Sequence, residues 1–373
     1  MRIIVVGAGA FGGWSALWLL RRGASVTLID AWGPGHSRAS SGGETRIIRG
    51  THGSDRPYME LVTRSLEIWR ESERRWDRPL FHPTGVLWLP GDDAPYLKDA
   101  VPLLNEFGYT FEQLTAQEAS RRFPQIQFDA STEMLLETGT GYLLARRACQ
   151  AVLEAFEREG GEFRLGSIRV GSGAEGGVQF LELPDGTRLT ADRYLFACGP
   201  WLGQLFPDVL GPLIRPTRQE VFFFGTPAAD GRYNEGGMPT WIERGTFYGI
   251  PGSDWRGFKI ADDAFGPAFD PTAGDRTPTA TGIAAARAYL ARRFPGMKDA
   301  PLVEARVCQY ENSPDGHFII DQHPRSPNAW IMGGGSGRGF KHGPALGERM
   351  AQLILGERKI DPFFSLARFA HPA

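Results

Sequence analysis

The first thirty residues follow an order of elements that few folds can accommodate. Residues 3–6 form a continuous β-branched run, which is typical of a strand buried on both faces. The run leads into Gly-Ala-Gly-Ala-Phe-Gly at residues 7–12, a helical stretch that stops at Gly23, and a second apolar strand that ends at Asp30. This order predicts the strand–helix–strand unit of a doubly wound α/β domain.

The glycine turn is typical of a dinucleotide site. Its glycines allow a tight bend, the close approach of a pyrophosphate and close helix–strand packing, and the helix N-terminus attracts the phosphate charge. An acid at the end of the second strand can accept a hydrogen bond from a ribose hydroxyl. The candidate cofactor-binding residues are Gly7, Gly9, Ala10, Phe11, Gly12 and Asp30. A glycine-rich turn in an α/β domain without a ligand is the alternative interpretation.

The position of the motif favours FAD as the dinucleotide. A motif that opens the chain is common in FAD-binding enzymes. A second glycine motif with a following acid, as a separate nicotinamide cofactor would need, is absent from the sequence. FAD alone is therefore the expected cofactor.

Composition and charge exclude several other classes of protein. The 373 residues include 41 Lys plus Arg and 43 Asp plus Glu, a net charge of −2, so we expect no nucleic-acid partner. No run of 18 apolar residues is present, so we expect no membrane partner. The 3 cysteines are widely spaced and the 7 histidines show no ligand spacing, which argues against a disulfide framework and a metal site. Unpaired cysteines favour a reducing compartment, and the predicted location is the cytoplasm.

The remaining pattern predicts two kinds of domain. Residues 221–261 contain short strands without an intervening helix, which indicates a mainly antiparallel sheet. Residues 333–339 form a second glycine loop before a last helix at 344–355. The predicted fold class is α/β, with a Rossmann-like FAD-binding domain and an inserted substrate domain built on a mainly antiparallel sheet. We assign residues 1–80, 141–214 and 305–373 to the FAD-binding domain, and residues 81–140 and 215–304 to the substrate-binding domain.

Further segments along the chain carry a family resemblance. They are GETRIIR at 43–49, CQYENSPD at 308–315 followed by FIID at 318–321, and SGRGFK at 336–341. Together with the dinucleotide motif, they make the chain similar to the amine-oxidising flavoenzymes of the D-amino-acid-oxidase superfamily. The resemblance is strongest to the family of monomeric sarcosine oxidase and N-methyltryptophan oxidase.

The resemblance implies roles for individual residues. Cys308 would bond covalently to the 8α-methyl group of the flavin, and Lys259 would lie near flavin N5 and activate oxygen. Arg49 and Lys341 would hold the substrate carboxylate, and Tyr310 would line the substrate cavity. The further cofactor-binding residues that it implies are Ser41, Arg46, Gly337, Gly339, Phe340 and Lys341.

Three places in the sequence depart from the family pattern. An adjacent histidine pair is replaced by Ser41-Gly42, a histidine near the flavin by Asp263, and a histidine of the last loop by Arg338. The resemblance therefore implies an intact flavin site with an altered substrate cavity, which disfavours sarcosine itself. Asp263 becomes a candidate catalytic residue that would favour a substrate with a second cationic or hydroxylated group, unless it pairs with Arg338 or Lys259.

The residues alone leave plainer interpretations open. Cys308 is compatible with a buried structural thiol, and Lys259 with an outward-facing lysine on a strand. Arg46 and Arg49 would share a face if their segment is helical, and they are also compatible with a solvated surface pair. Tyr310 is compatible with a place in the core.

The expected function is that of an FAD-dependent oxidase of a secondary amine or N-substituted amino acid. Hydride would pass to the flavin, the imine would be hydrolysed, and O2 would be reduced to hydrogen peroxide. The expected partners are a small-molecule amine or amino acid and O2, and the chain is expected to be a monomer. The alternatives are a dehydrogenase with a non-oxygen acceptor, which Lys259 disfavours, and a flavin-binding protein without turnover, which would not need the set Arg49, Tyr310 and Lys341.

Overall fold

The computed structural model describes residues 1–89, 94–129, 133–172, 177–254 and 256–369. In these residues the strands form two large sheets and two sheets of three strands. The helices are α1 (Ala10–Arg21), α2 (Arg56–Trp76), α3 (Ala94–Glu106), α4 (Ala116–Arg122), α5 (Ala145–Arg158), α6 (Leu202–Leu205), α7 (Pro207–Leu210), α8 (Ala280–Arg293) and α9 (Gly343–Ile354). The strands are β1 (Arg2–Val6), β2 (Ser25–Asp30), β3 (Thr45–Ile48), β4 (Phe81–His82), β5 (Val86–Leu89), β6 (Phe111–Thr115), β7 (Glu133–Glu137), β8 (Gly141–Leu144), β9 (Glu162–Leu165), β10 (Arg169–Ser172), β11 (Val178–Glu182), β12 (Arg188–Leu189), β13 (Arg193–Phe196), β14 (Arg215–Phe224), β15 (Thr240–Glu243), β16 (Phe247–Ile250), β17 (Phe258–Asp262), β18 (Leu302–Asn312), β19 (Ile319–His323) and β20 (Ser326–Gly333). None of these helices has both the length and the apolar composition that a membrane span requires.

The first large sheet contains the predicted dinucleotide unit. Its order is β19-β20-β13-β1-β2-β9, and its neighbouring strands are parallel except β19 with β20. The central strand β1 is buried along its β-branched run, as expected of a strand covered on both faces. Helix α1 follows β1 directly and leads into the parallel neighbour β2. The predicted α/β class with a Rossmann-like unit is confirmed.

Helix α9 packs closely against α1, and two glycines make this possible. A Cβ atom on Gly343 would lie 2.8 Å from the carbonyl oxygen of Ala10, and one on Gly347 would lie 2.6 Å from the backbone of Trp14. Because the two glycines are one helical turn apart, they share a face of α9. The second glycine loop, which precedes α9, is thereby held beside the first turn of α1.

The second large sheet is mainly antiparallel, as predicted. Its order is β18-β14-β17-β16-β15-β5-β7-β6, and the only parallel pair among the described strands of this sheet is β5 with β15. The edge strand β6 has no counterpart in the sequence analysis. Its residues, FEQLT, are mostly exposed and therefore lack a clear apolar alternation.

Strand β18 lies where the two halves of the molecule meet. It pairs with β14 along the whole of its length, so the predicted domain boundary at residue 305 falls inside a strand of the second sheet. The far end of β18 contacts the turns after β13 and β20, which belong to the first sheet. The division into two domains stays a prediction.

The segment that carries Arg46 is a strand. Residues 45–48 form β3, which pairs antiparallel with β8, and Arg49 lies just beyond its end. The possibility that Arg46 and Arg49 share a helical face is therefore wrong. Thr45, Ile47 and Ile48 are β-branched, which favours a strand.

A buried ion pair lies beneath the second sheet. The side chain of Arg293 on α8 is 4% exposed and that of Glu243 on β15 is 7% exposed. Two guanidinium nitrogens of Arg293 donate to Glu243, at 2.9 and 3.1 Å, and the hydroxyl of Tyr289 donates to the same carboxylate. Arg292 also reaches Glu243, at 3.3 Å, but its side chain is 53% exposed.

We predict that Arg293→Met destabilises the protein by about 3–5 kcal/mol, because it leaves the buried Glu243 without its main cation. Arg292→Met is the matched control: it removes an exposed arginine from the same carboxylate and should cost only about 0–1 kcal/mol. Urea denaturation of the three proteins at pH 7 measures both effects. Equal losses in the two variants would contradict the assigned role of burial.

Candidate active site

A cavity of about 480 Å³ opens at the carboxyl ends of β1 and β2. This is where ligands bind in doubly wound folds, and the volume is typical of a small-molecule site. The residues of the sequence analysis that line it are Gly7, Gly9, Ala10, Phe11, Asp30, Ser41, Arg46, Tyr310, Gly337, Gly339 and Phe340. The others, Gly12, Arg49, Lys259, Asp263, Cys308 and Lys341, are not part of its lining.

One end of the cavity is built by the turn between β1 and α1. Gly7 has a φ of +105°, and a Cβ atom on it would lie 2.3 Å from the carbonyl oxygen of Ala197. Gly9 caps α1 without any side-chain hydrogen bond, and the first turn of α1 contains no acid. Ser41 accepts a hydrogen bond from the N–H of Ala10 at 3.0 Å. A helix N-terminus without an acid, in a glycine cradle, fits the diphosphate of FAD.

Asp30 holds the same end together. Its carboxylate accepts hydrogen bonds from the backbone N–H groups of Ala8 at 2.7 Å, Trp32 at 2.9 Å and Gly33 at 2.8 Å. A carboxylate has about four lone-pair sites, so one site remains for the predicted ribose hydroxyl. The ribose contact stays a prediction, and the backbone contacts give Asp30 a structural role that the sequence did not indicate.

Arg46 on β3 and Tyr310 on β18 line the other end of the cavity, and Tyr248, Lys259 and Cys308 lie beside them on β16, β17 and β18. Arg46 Nη2 lies 3.6 Å from Cys308 Sγ, and the hydroxyls of Tyr248 and Tyr310 are 3.4 Å apart. Lys259 Nζ lies 5.7 Å from the centre of the Tyr248 ring. Tyr248 had no signal in the sequence, because only the pairing of β16 with β17 brings it beside Lys259.

Lys259 points into the protein, so the outward-facing interpretation is wrong. It is 3% exposed, and its Nζ donates a hydrogen bond to the carbonyl oxygen of Thr45 at 2.9 Å. Burial, followed by the positive charge of Arg46, lowers the pKa of Lys259 to about 7. A buried lysine with a perturbed pKa beside a cavity is typical of a functional group.

Arg49 and Lys341 form a second cationic cluster. Lys341 is 4% exposed, and its Nζ donates to the carbonyl oxygen of Arg338 at 2.9 Å. Burial, followed by the charges of Arg49 and Arg338, lowers the pKa of Lys341 well below its ordinary value. The structure thus brings together two cations that are almost 300 residues apart, as the resemblance implies.

Contacts on one edge hold the guanidinium of Arg49. Its Nη1 donates to the carbonyl oxygen of Thr51 and lies 3.2 Å from Nδ1 of His52, and its carbon lies 4.8 Å above the Trp88 ring. In the described residues, all hydrogen bonds of Arg49 start from Nη1. Its other edge can therefore accept an anion in a bidentate arrangement.

Glu137 supports this arrangement, and sequence reasoning missed it. It is fully buried and accepts hydrogen bonds from the N–H groups of Gly50 at 2.6 Å and Thr51 at 3.1 Å. It also accepts from Trp88 Nε1 at 2.8 Å. Glu137 therefore fixes both the loop and the ring that hold Arg49.

The two substituted positions Asp263 and Arg338 do not pair with each other. Asp263 accepts a hydrogen bond from the N–H of Gly245 at 3.3 Å. Nη1 of Arg338 lies 3.9 Å from Oδ2 of Asp55. Within the described residues, Asp263 forms no ion pair with Arg338 or Lys259, so those pairings are wrong. Burial, followed by the nearby Tyr248 and Asp263, raises the pKa of Tyr310.

We predict that Arg49 and Lys341 bind carboxylates. Arg49→Met and Lys341→Met should each weaken the binding of methylthioacetate by roughly 10- to 150-fold, the equivalent of one charge-assisted hydrogen bond. A bound anion favours the charged lysine and raises the lowered pKa of Lys341. Binding should therefore take up a proton, and the affinity should fall as pH rises between the free and bound pKa values.

Calorimetry in two buffers of different ionisation enthalpy measures the affinity and the proton uptake. The exposed Lys98 serves as the control, because Lys98→Met also removes a lysine, but one that is not buried in the cluster, and it should bind like wild type. Proton uptake that persists in Lys341→Met would contradict the assignment to Lys341.

Comparisons with known proteins match nearly the whole chain. The family model described as DAO, FAD dependent oxidoreductase, matches residues 2–353. Monomeric sarcosine oxidase from Bacillus sp. (strain B-0618) is 31% identical over 371 residues, which cover 95% of this chain and 92% of that protein. N-methyl-L-tryptophan oxidase from Salmonella heidelberg (strain SL476) is 30% identical over 380 residues, which cover 98% and 97% of the two chains. The solved structure of L-proline dehydrogenase from P. horikoshii has a TM-score of 0.84 at 22% identity, over 99% of this chain and 97% of that one, a likeness that shows the fold alone.

Proposed function

The chain belongs to the DAO family of FAD-dependent oxidoreductases, and from this premise we propose that it oxidises a secondary amine or N-substituted amino acid with O2 as the electron acceptor. The observation that carries the proposal is the pair of cationic clusters beside the cavity. One contains Lys259 and Arg46, and the other contains Arg49 and Lys341.

The cluster of Arg49 and Lys341 binds the carboxylate of the substrate. Its two cations repel each other in a buried place, and an anion between them relieves that repulsion. Tyr310 lines the cavity, and its hydroxyl lies 3.4 Å from that of Tyr248, whose ring centre lies 5.7 Å from Lys259 Nζ. The substrate is thereby oriented by its carboxylate, with the carbon next to its nitrogen facing the cavity.

Lys259 supplies a positive charge where oxygen is reduced. When bound, FAD supplies a two-electron acceptor for the C–H bond next to the amine nitrogen and a centre that O2 can reoxidise, with hydrogen peroxide as the product. The lysine side chain is held by Thr45 and is shielded from solvent, so its charge acts in a medium of low dielectric. Water hydrolyses the imine that the oxidised substrate forms.

The substituted positions favour a substrate other than sarcosine. Asp263 places an acid near Tyr248 and Tyr310, where a second cationic or hydroxyl group of a substrate can be recognised. Ser41-Gly42 and Arg338 are the other departures from the family pattern that imply an altered substrate cavity. The named relatives act on sarcosine and N-methyl-L-tryptophan, and the substrate class proposed here keeps the N-substituted amino acid and changes its side chain.

A dehydrogenase with a different electron acceptor is the second candidate. The fold does not separate the two, since a proline dehydrogenase and amine oxidases share it. The buried Lys259 favours oxygen, because a carrier protein or quinone does not need a cation that stabilises developing superoxide.

The test uses the holoenzyme and a panel of N-methyl amino acids, each with a matched N-methyl amine that lacks the carboxylate. We expect anaerobic loss of flavin colour with the amino acids only, followed in air by hydrogen peroxide in an amount equal to the substrate consumed. Reduction by the amines alone would overturn the carboxylate assignment. A flavin that the substrate reduces without oxygen, and that a quinone dye reoxidises while air does not, would favour the dehydrogenase.

We predict that Lys259→Met slows the reaction of the reduced enzyme with O2 by roughly 10²–10³-fold, because one preorganised charge is lost. Reduction by substrate should change much less. In the wild type, the rate with O2 should fall as pH rises through the pKa of Lys259, and the variant should lose this dependence. Stopped-flow absorbance measures both half-reactions, with the exposed Lys298 changed to Met as the control. Equal losses in both half-reactions would indicate a structural lysine.

We predict that FAD is covalently bound through Cys308. The thiol lies 3.6 Å from Nη2 of Arg46, which lines the cavity. Acid-precipitated wild-type protein should stay yellow, and Cys308→Ser should release its flavin to the supernatant. Cys149→Ser is the control and should stay yellow, because Cys149 is buried on α5. Release of all colour from the wild type would contradict the prediction.

A further inference from the structure

Glu311 is a buried acid in the cavity that no part of the proposed reaction uses. It follows Tyr310 on β18, is 7% exposed and lines the cavity. Its Oε1 accepts a hydrogen bond from the N–H of Gly335 at 3.3 Å. Its Oε2 is buried and has no hydrogen-bond partner among the residues that the structure describes. A buried carboxyl oxygen without a partner is costly, so a ligand group is expected opposite it.

The surroundings of Glu311 leave that oxygen open to the cavity. A Cβ atom on Gly199 would lie 3.1 Å from Oε2, and one on Gly335 would lie 2.9 Å from Oε1, so glycines form the sides of the slot. Within the described residues, Glu311 takes part in no ion pair, and burial raises the pKa of Glu311 to about 7. The protein itself therefore does not compensate this acid.

The position of Glu311 along the cavity determines which part of a bound ligand lies opposite Glu311. The turn of Gly335 is close to Gly339, whose Cβ atom would lie 2.8 Å from the Phe11 ring at the diphosphate end. On the other side, the neighbouring Tyr310 packs against Gly337 at the end where Arg46 and Cys308 lie. Glu311 thus lies between the two ends. In FAD, the ribityl chain with its three hydroxyl groups connects the diphosphate to the ring.

We propose that Glu311 binds FAD by accepting a hydrogen bond from a ribityl hydroxyl group at Oε2. A hydroxyl donor satisfies the open oxygen, whereas the diphosphate would be repelled by a carboxylate. Glu311 is therefore a positioning residue that sets the cofactor's depth in the cavity. The inference rests on FAD binding and is independent of which amine is oxidised.

The experiment measures FAD affinity rather than turnover. Full-length Cys308→Ser protein, freed of flavin, is titrated with FAD and with three FAD analogues that each lack one ribityl hydroxyl, and flavin fluorescence reports binding. We expect Glu311→Ala to weaken FAD binding by roughly 10- to 150-fold, the range for a hydrogen bond to a charged group. One analogue should bind equally to both proteins, because its missing hydroxyl is the one that Glu311 contacts.

Two further variants keep the test decisive. Glu304→Ala removes another acid from β18, outside the cavity lining, and should bind FAD and all analogues as the parent does. If the alanine variant does not fold, Glu311→Gln replaces it, because glutamine preserves the size of the side chain. Its loss of FAD affinity should be smaller than that of Glu311→Ala, and the loss should vanish with the same analogue. Unchanged FAD affinity in the Glu311 variants, or an equal loss with all three analogues, would overturn the proposal. Neither result depends on the amine substrate, so failure here is distinct from failure of the proposed function.

Discussion

The close backbone approach in the turn between β1 and α1 is the constraint on which the rest of the structure depends. A Cβ atom on Gly12 would lie 1.8 Å from the carbonyl oxygen of Gly7, so only a chain without side chains there can turn so tightly. The turn places the start of α1, whose first turn contains no acid, in the lining of the cavity. Because α9 packs on α1 through its own glycines, the second glycine loop becomes the opposite wall.

Two buried cationic clusters, Lys259 with Arg46 and Arg49 with Lys341, are neutralised only in part by the protein. Burial, followed by the charge of Arg46, lowers the pKa of Lys259. Burial, followed by the charge of Arg49, lowers the pKa of Lys341. The acids that approach the Arg49 cluster, such as Glu137, are occupied by backbone and indole donors. Such a site is poorly stable when empty of anions and favours negative charge in a ligand or a transition state. The same partly neutralised cations therefore destabilise the fold and support the proposed chemistry.

Strand β18 connects this chemistry to the cofactor cavity. Side chains alternate along a strand, so Cys308 and Tyr310 share one face while Gln309 and Glu311 share the other. Gln309 is occupied by Arg276 and by the carbonyl oxygen of Arg38, whereas Glu311 keeps one oxygen open. A single strand thus provides the proposed covalent anchor, a wall of the substrate space and the proposed ribityl contact.

Local sequence determined the dinucleotide-binding unit of this protein, and the tertiary structure decided which side chains meet. The β-branched run before Gly7, the glycine spacing and Asp30 predicted the dinucleotide unit, because turn geometry and strand periodicity depend on neighbouring residues. The resemblance singled out Arg49, Lys259 and Lys341, and the residues alone could not tell a buried lysine from a solvated one. Tyr248, Glu137 and Glu311 carried no local signal, since their roles depend on strand pairing and loop packing between distant segments. Burial and electrostatic repulsion arise only when those segments come together, and for that reason the pKa values of the lysines and the open oxygen of Glu311 were decided by the fold.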